Sequence, residues 1–186
     1  MKTTLNKIRE KSPCASGWRK LLAHLGKTTA DDEPLSIETI LDSNGLDDAL
    51  WCLRAVDGRD REIHLYVVWC ARQVQHLMKD SASIAALDTA EKFANGQATS
   101  EELKTAAYAA YAAYAADADA DAYAAYAAYA AADAAADAAT AAAYAAYAAT
   151  YAATYATATA TATYARRAQE ARLRELCAEC AKEVRP

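Results

Sequence analysis

Residues that interrupt helices are scarce in this 186-residue chain, which contains five glycines and three prolines. None of them lies between Gly96 and Pro186. Because glycine and proline disfavour helix interiors more than any other residues, this half of the chain has few sequence signals for loops. No segment alternates apolar and polar residues for long enough to indicate a strand. The sequence therefore predicts an all-α fold.

The chain also has no basic stripe and no long apolar run. Its 25 acidic and 20 basic residues give a net charge of -5, which argues against nucleic acid as a partner. No segment approaches the roughly 20 apolar residues of a membrane helix. The charged N-terminal residues are not followed by the apolar run of a signal peptide. We therefore expect a cytosolic protein that binds neither nucleic acid nor membrane.

Motifs for catalysis and metal binding are missing as well. The odd number of cysteines, five, predicts reduced thiols rather than a disulfide framework. Cys177 and Cys180 have the CxxC spacing of a zinc site, but such a site needs about two more ligands and no second CxxC follows. The three histidines are scattered, and no glycine-rich phosphate loop occurs. The sequence predicts no metal, no cofactor and no enzymatic activity.

Residues 1–99 have an ordinary globular composition and predict an N-terminal bundle of helices. Capping residues and apolar residues at helical spacing mark these helices. They run from the Ser12-Pro13 pair to Gly26, from Ser36 to Asn44, over Leu46 to Leu53, from Asp60 to Leu77 and from Ser83 to Ala94. The two tryptophans in the most apolar helices, Trp51 and Trp69, are expected in the core.

Residues 100–186 predict further helices, starting at Ser100. From Ala106 to Ala165 every residue is Ala, Tyr, Asp or Thr, and alanine has the highest helix propensity. One straight helix would span roughly 120 to 130 Å, so we expect the chain to fold back at least once. The expected breaks are the acidic run 117–121 and the threonine run 157–163. A charged amphipathic helix ends this half, which we expect to pack with residues 1–99 as one unit.

Tyrosines recur in this half with a period of 18 residues, which is about five helical turns. In an unbroken helix they share one side with nearby carboxylates, while much of the other side is alanine. Such a row of phenols either completes a core or forms an interface, and tyrosine is favoured at interfaces. The predicted partner-binding residues are Tyr108, Tyr111, Tyr126, Tyr129, Asp133, Asp137, Tyr144, Tyr147 and Tyr151.

Arginines of the first half give an alternative binding surface. Arg54, Arg61 and Arg72 would meet an acidic partner if they cluster. The other interpretation is that they are helix-surface residues that pair with Asp47 or Asp48.

Three segments carry a resemblance to a known family. GLDDALWCLRAV, DREIHLYVVWCARQVQHL and ALDTAEKFANGQATSEEL, followed by the alanine-rich tail, resemble predicted immunity proteins of bacterial toxin systems, which also occur in phage genomes. The resemblance spans most of the chain and implies that a toxin is neutralised by binding. It supplies no catalytic residues. The tail departs from the family pattern, because tyrosine and threonine largely replace tryptophan, arginine and aspartate.

The first functional hypothesis is therefore an inhibitory binding protein of the bacterial cytosol, an immunity protein against a toxin. The alternative is a phage-encoded counter-defence protein that blocks or sequesters a host defence component. In either case the partner is a protein, and a second copy of the chain is also a candidate. An ice-binding helix is a further hypothesis from the regular threonines, although residues 157, 159, 161 and 163 spread around a helix. Thermal hysteresis would separate it from the others.

Overall fold

The computed structural model describes residues 1–116, 121–132, 146, 148–150, 152 and 160–183. Helices dominate, which confirms the all-α prediction. A small sheet is the exception: β1 (Lys2–Thr3) pairs antiparallel with β2 (Leu35–Ser36). Two residues are too few to show a strand's alternation, so the sequence did not predict them. Within the described ranges, no helix is long and apolar enough to cross a membrane.

The chain forms two compact units. The first unit combines Met1–Arg59 with Arg174–Pro186, and the second unit is Asp60–Leu173. The change of composition at residue 99 falls within the second unit.

Residues 1–59 contribute four α-helices to the first unit, which has an apolar core. They are α1 (Leu5–Glu10), α2 (Ala15–Leu25), α3 (Ile37–Asn44) and α4 (Leu46–Cys52), and a 3-10 turn (Leu53–Ala55) follows α4. Helix α3 packs on both α2 and α4. The side chains at most 2% exposed here include Leu5, Ile8, Leu21, Ile37, Ile40, Leu50 and Leu53. Burying each of them contributes roughly 1.5–3 kcal/mol relative to leaving it in water.

Two of the predicted helix ends in this unit are confirmed, and one is wrong. The Ser36 hydroxyl accepts a hydrogen bond from the Thr39 N–H at 3.0 Å and caps α3, while Gly26 ends α2 in the left-handed conformation. Ser12 does not cap α2, because its φ of 58° is not the extended conformation of an N-cap. Cys14 takes this place, and its Sγ accepts a hydrogen bond from the Gly17 N–H at 3.4 Å.

In the described ranges, the second unit contains five α-helices with defined bounds, and residues 146, 148–150 and 152 are helical as well. The five helices are α5 (Asp60–Arg72), α6 (Ser81–Ala94), α7 (Ser100–Ala116), α8 (Asp121–Ala132) and the part of α9 (Ala160–Glu183) that precedes Arg174. Helices α6, α7 and α8 pack on one another, and α5 packs on α6 and α8. The helix predicted to reach Leu77 ends at Arg72, and a 3-10 turn (Gln75–Leu77) follows.

Helices α7 and α8 confirm the predicted fold-back. Helix α7 ends at Ala116, α8 begins at Asp121, and the two pack against each other. Leu103, Ala107 and Ala110 form the buried stripe of α7, and the alanines at 127, 128 and 130–132 are buried on α8. Alanine side chains project little, so the two backbones approach closely. Residues 117–120 and the first part of the threonine run, 157–159, lie outside the described residues, whereas 160–163 belong to α9.

A buried glutamine joins distant segments of the second unit. Gln169 is 1% exposed, and its Nε2 donates to the Ala146 carbonyl at 2.9 Å. The Thr150 hydroxyl donates to the same Ala146 carbonyl at 2.8 Å and lies 3.4 Å from Gln169 Oε1, and the Tyr66 hydroxyl donates to the Gln169 backbone carbonyl at 3.1 Å. Buried polar groups cost stability unless they are hydrogen-bonded, so this network fixes how α9 packs within the unit.

Candidate protein-binding surface

Four tyrosines of α7 and α8 form the tyrosine surface: Tyr108, Tyr111, Tyr126 and Tyr129. Tyr108 is 76% exposed and Tyr111 is 48% exposed, three residues apart on one side of α7. The ring centroid of Tyr111 lies 5.2 Å from that of Tyr129 on α8, and Tyr129 lies 5.8 Å from Tyr126. These distances are in the range of favourable ring pairs. Tyr111, Tyr129 and Tyr126 therefore form a connected aromatic group across two helices, and Tyr108 lies beside it on α7.

These tyrosines lie together because α7 packs on α8. The 18-residue period of the sequence is not the cause. The periodicity calculation required one unbroken helix, whereas α7 and α8 are separate helices that pack against each other. The angular register therefore does not extend from Tyr111 to Tyr129. What remains of the pattern is the three-residue spacing within each helix, which puts successive tyrosines on one side.

The other predicted residues of this set lie outside the described residues: Asp133, Asp137, Tyr144, Tyr147 and Tyr151. Their part in binding stays a prediction. Neighbouring positions in the same segment are described, and Ala146, Ala148, Ala149 and Ala152 are buried.

Exposure distinguishes the tyrosine surface from a tyrosine of the core. Tyr66 on α5 is 1% exposed, and its hydroxyl is hydrogen-bonded inside the second unit. Tyr126 and Tyr129 are half-buried. Tyr108 presents most of its surface to solvent, and Tyr111 presents about half. A tyrosine combines a large apolar ring with a polar tip and has few rotatable bonds, so it contacts a partner at low entropic cost.

The three predicted arginines all have partners within the chain. Arg54 belongs to the first unit, where its guanidinium lies 4.4 Å from the Trp51 ring centroid and its Nε donates to the Trp51 carbonyl at 2.8 Å. Arg61 of the second unit donates to Asn95 Oδ1 at 2.9 Å. These contacts hold both side chains within their own units.

Arg72 is tied to α6. Its Nη2 lies 2.8 Å from Asp88 and 2.8 Å from Glu91, and its Nη1 donates to Gln75 at 2.9 Å. These carboxylates are not Asp47 and Asp48, the partners that the sequence suggested. An arginine held by two carboxylates is poorly available to an acidic partner, so the tyrosine surface is the stronger candidate.

The cysteines differ in exposure and in acidity. Cys14 is exposed, and hydrogen bonds from Ser16 and from the Gly17 N–H lower the pKa of its thiol. Burial raises the pKa of Cys52 and of Cys70 to about 12 and that of Cys177 to about 11. Cys180 is buried as well. In the part of the chain that the structure describes, no three His, Cys, Asp or Glu side chains are grouped to hold a metal ion.

This difference predicts one fast-reacting thiol among five. Thiolates are the nucleophiles, so exposed Cys14, with its lowered pKa, should react with iodoacetamide first. Peptide mass spectrometry at pH 8 should find Cys14 alkylated at least tenfold faster than Cys52 or Cys70. Cys14→Ser should remove the fast phase and leave the slow phase unchanged. Equal rates at all five cysteines would contradict the structure.

Comparisons with known proteins give no match: no family model, no curated protein and no solved structure is similar to the chain. A function must therefore be inferred from the tyrosine surface and from the chemistry around it.

Proposed function

We propose that the chain is a non-enzymatic inhibitory binding protein, an immunity protein that neutralises a toxin by covering it. The observation that carries the proposal is the exposed pair Tyr108 and Tyr111, backed by the ring of Tyr129 at 5.2 Å from Tyr111. Binding proteins place exposed aromatic rings on rigid elements, and both helices here are held by buried alanines.

The energetics of the tyrosine surface favour a protein partner. Exposed rings leave apolar area in water, and burying it is worth about 25 cal/mol per Å². The phenol hydroxyls keep the rim of the surface polar. A partner can therefore contact the rings without leaving buried polar groups unpaired. Tyr111 and Tyr129 already contact each other, so part of the side-chain ordering cost is met before binding.

Neutralisation by binding requires a tight stoichiometric complex and no reaction. The resemblance to immunity proteins supports this mode of action. With a net charge of -5, the chain would associate faster with a basic partner than with an acidic one. A cytosolic location in the producing cell is part of the proposal.

A photo-crosslinking experiment tests this surface. p-Benzoylphenylalanine is placed at Tyr108 in one variant and at Tyr164 in the other. Tyr164 is a matched control, since it is 75% exposed and lies on α9. After irradiation in the native cells, position 108 should give a discrete crosslinked protein and position 164 should not. The purified protein should then inhibit that partner at a one-to-one ratio.

Alanine substitutions measure how much the tyrosine surface contributes to the free energy of binding. Tyr108→Ala with Tyr111→Ala should weaken binding to the crosslinked partner by about 2 kcal/mol, or roughly 30-fold, measured by calorimetry. Helicity should be unchanged, because alanine is the better helix former. Tyr164→Ala is the control and should bind normally. A crosslinked product that contains only two copies of this chain would contradict the inhibitory function and identify a dimer interface.

A further inference from the structure

The first unit contains a small pocket that the tyrosine surface does not involve. Its volume is about 100 Å³. Apolar side chains form most of its wall, including Ile8, Leu21 and Ile40, and two indole rings, Trp18 and Trp51, complete it. Cys14, Asn44 and Asp48 contribute the polar part. A pocket with aromatic walls and few polar groups is the usual form of a small-ligand site.

Asp48 is held in place by two neighbouring elements. Asn44 Nδ2 donates to Asp48 Oδ2 at 2.7 Å and to the Gly17 carbonyl at 2.9 Å, which links α3, α4 and α2. Gly17 leaves room for the carboxylate, because a Cβ atom there would lie 2.7 Å from Asp48 Oδ2. The carboxylate thus has a fixed position at the wall of the pocket.

The charge of the lining selects for cations. Asp48 is the one carboxylate among the lining residues, and no arginine or lysine lines the pocket. Cys52 stays protonated at neutral pH, because burial raises its pKa to about 12. The guanidinium of Arg54 lies 4.4 Å from the Trp51 ring centroid but is not among the lining residues. Indole rings together with a carboxylate are the groups with which proteins recognise alkylammonium ions.

We propose that this pocket binds the head group of a small alkylammonium compound, with the indoles of Trp18 and Trp51 around the methyl groups and Asp48 as the counter-ion. A cavity of roughly 150 Å³ takes benzene, and pockets for drug-sized molecules start at about 300 Å³. With about 100 Å³ the pocket is smaller than both, so a trimethylammonium group would fill it, the rest of the ligand would lie outside, and a nucleotide is excluded.

Choline and its uncharged isostere, 3,3-dimethylbutan-1-ol, test the proposal because they differ in the charge of one atom. Binding is followed by tryptophan fluorescence in the full-length Trp69→Phe protein, in which the remaining indoles are those of the pocket. Ionic strength is kept constant with sodium chloride. We expect saturable binding of choline and at least tenfold weaker binding of the alcohol. Equal binding of the two compounds, or no binding of choline up to 100 mM, would overturn the proposal.

Asp48→Asn should weaken choline binding about tenfold, the equivalent of 1.4 kcal/mol. Asp47→Asn is the matched control, because Asp47 is exposed on the same helix and does not line the pocket. Circular dichroism checks that both variants are folded. As a second readout, choline should slow the alkylation of Cys14, which lines the pocket. Unchanged alkylation, or an equal loss of affinity in both variants, would contradict the assignment, whatever the outcome at the tyrosine surface.

Discussion

Replacing Ala110 by leucine should lower the free energy of unfolding of the second unit by about 2–3 kcal/mol. Ala110 is fully buried within the packed helices α6, α7 and α8, where three extra carbon atoms have no space. Overpacking of a well-packed interior typically has a cost of this size. Urea denaturation followed by circular dichroism measures the change.

Ala109→Leu is the matched control for this substitution. It makes the same chemical change at the next residue, where the side chain is exposed. Leucine has nearly the helix propensity of alanine, so the free energy of unfolding should change by less than about 0.5 kcal/mol. Equal effects of the two substitutions would show that α7 is not packed through its alanine stripe.

Raising the pH from 8 to 11 should destabilise the protein strongly. The pKa of Cys52 and of Cys70 is about 12 in the folded chain, and that of Cys177 is about 11, all above the ordinary value of 9.0. The folded state keeps these protons up to a higher pH than the unfolded state does. The stability that the three thiols contribute is therefore fully present below pH 9 and is lost as the pH rises towards 12. The loss is on the order of 2 kcal/mol per thiol at pH 11, which together approaches the whole stability of a typical domain.

Two cysteine variants isolate this contribution from that of other alkaline groups. Cys52→Ala removes one buried thiol and should reduce the loss between pH 8 and pH 11 by about 2 kcal/mol. Cys14→Ala removes the exposed thiol, whose pKa is lowered, and should leave the loss unreduced. The free energy of unfolding in urea at each pH gives both values. An identical pH dependence in the two variants would contradict the burial of Cys52.

Helix ends were predictable where the capping residue follows the common chemistry. Ser36 and Gly26 were found because serine commonly caps the start of a helix with its hydroxyl, and glycine commonly ends one in the left-handed conformation. Cys14 was missed because cysteine is an uncommon cap, and Ser12 was chosen because it is a common one. At Ser100 the predicted start is confirmed, while the reciprocal hydrogen bonds of a capping box are made by Thr99 and Glu102.

The candidate sites depended on contacts that local patterns do not contain. The acidic run at 117–121 indicated a break, but it did not indicate that Tyr111 would lie against Tyr129 after the chain folds back. The pocket combines residues of several elements, and its indole Trp51 was expected to be core. The sequence suggested Asp48 only as a partner for arginine. Its position beside Gly17 depends on how α2 and α4 pack, and no local pattern contains that information.

The last helix has a consequence for synthesis on the ribosome. Tyr66 donates its hydrogen bond to Gln169, 103 residues later, and the first unit needs residues from Arg174 onward. A nascent chain emerges from its N-terminus, so neither unit can close until α9 has been made. Until then the apolar surfaces that α9 covers stay open to chaperones and proteases. A chain that stops near residue 165 should therefore be degraded as a whole, although most of both units has been synthesised.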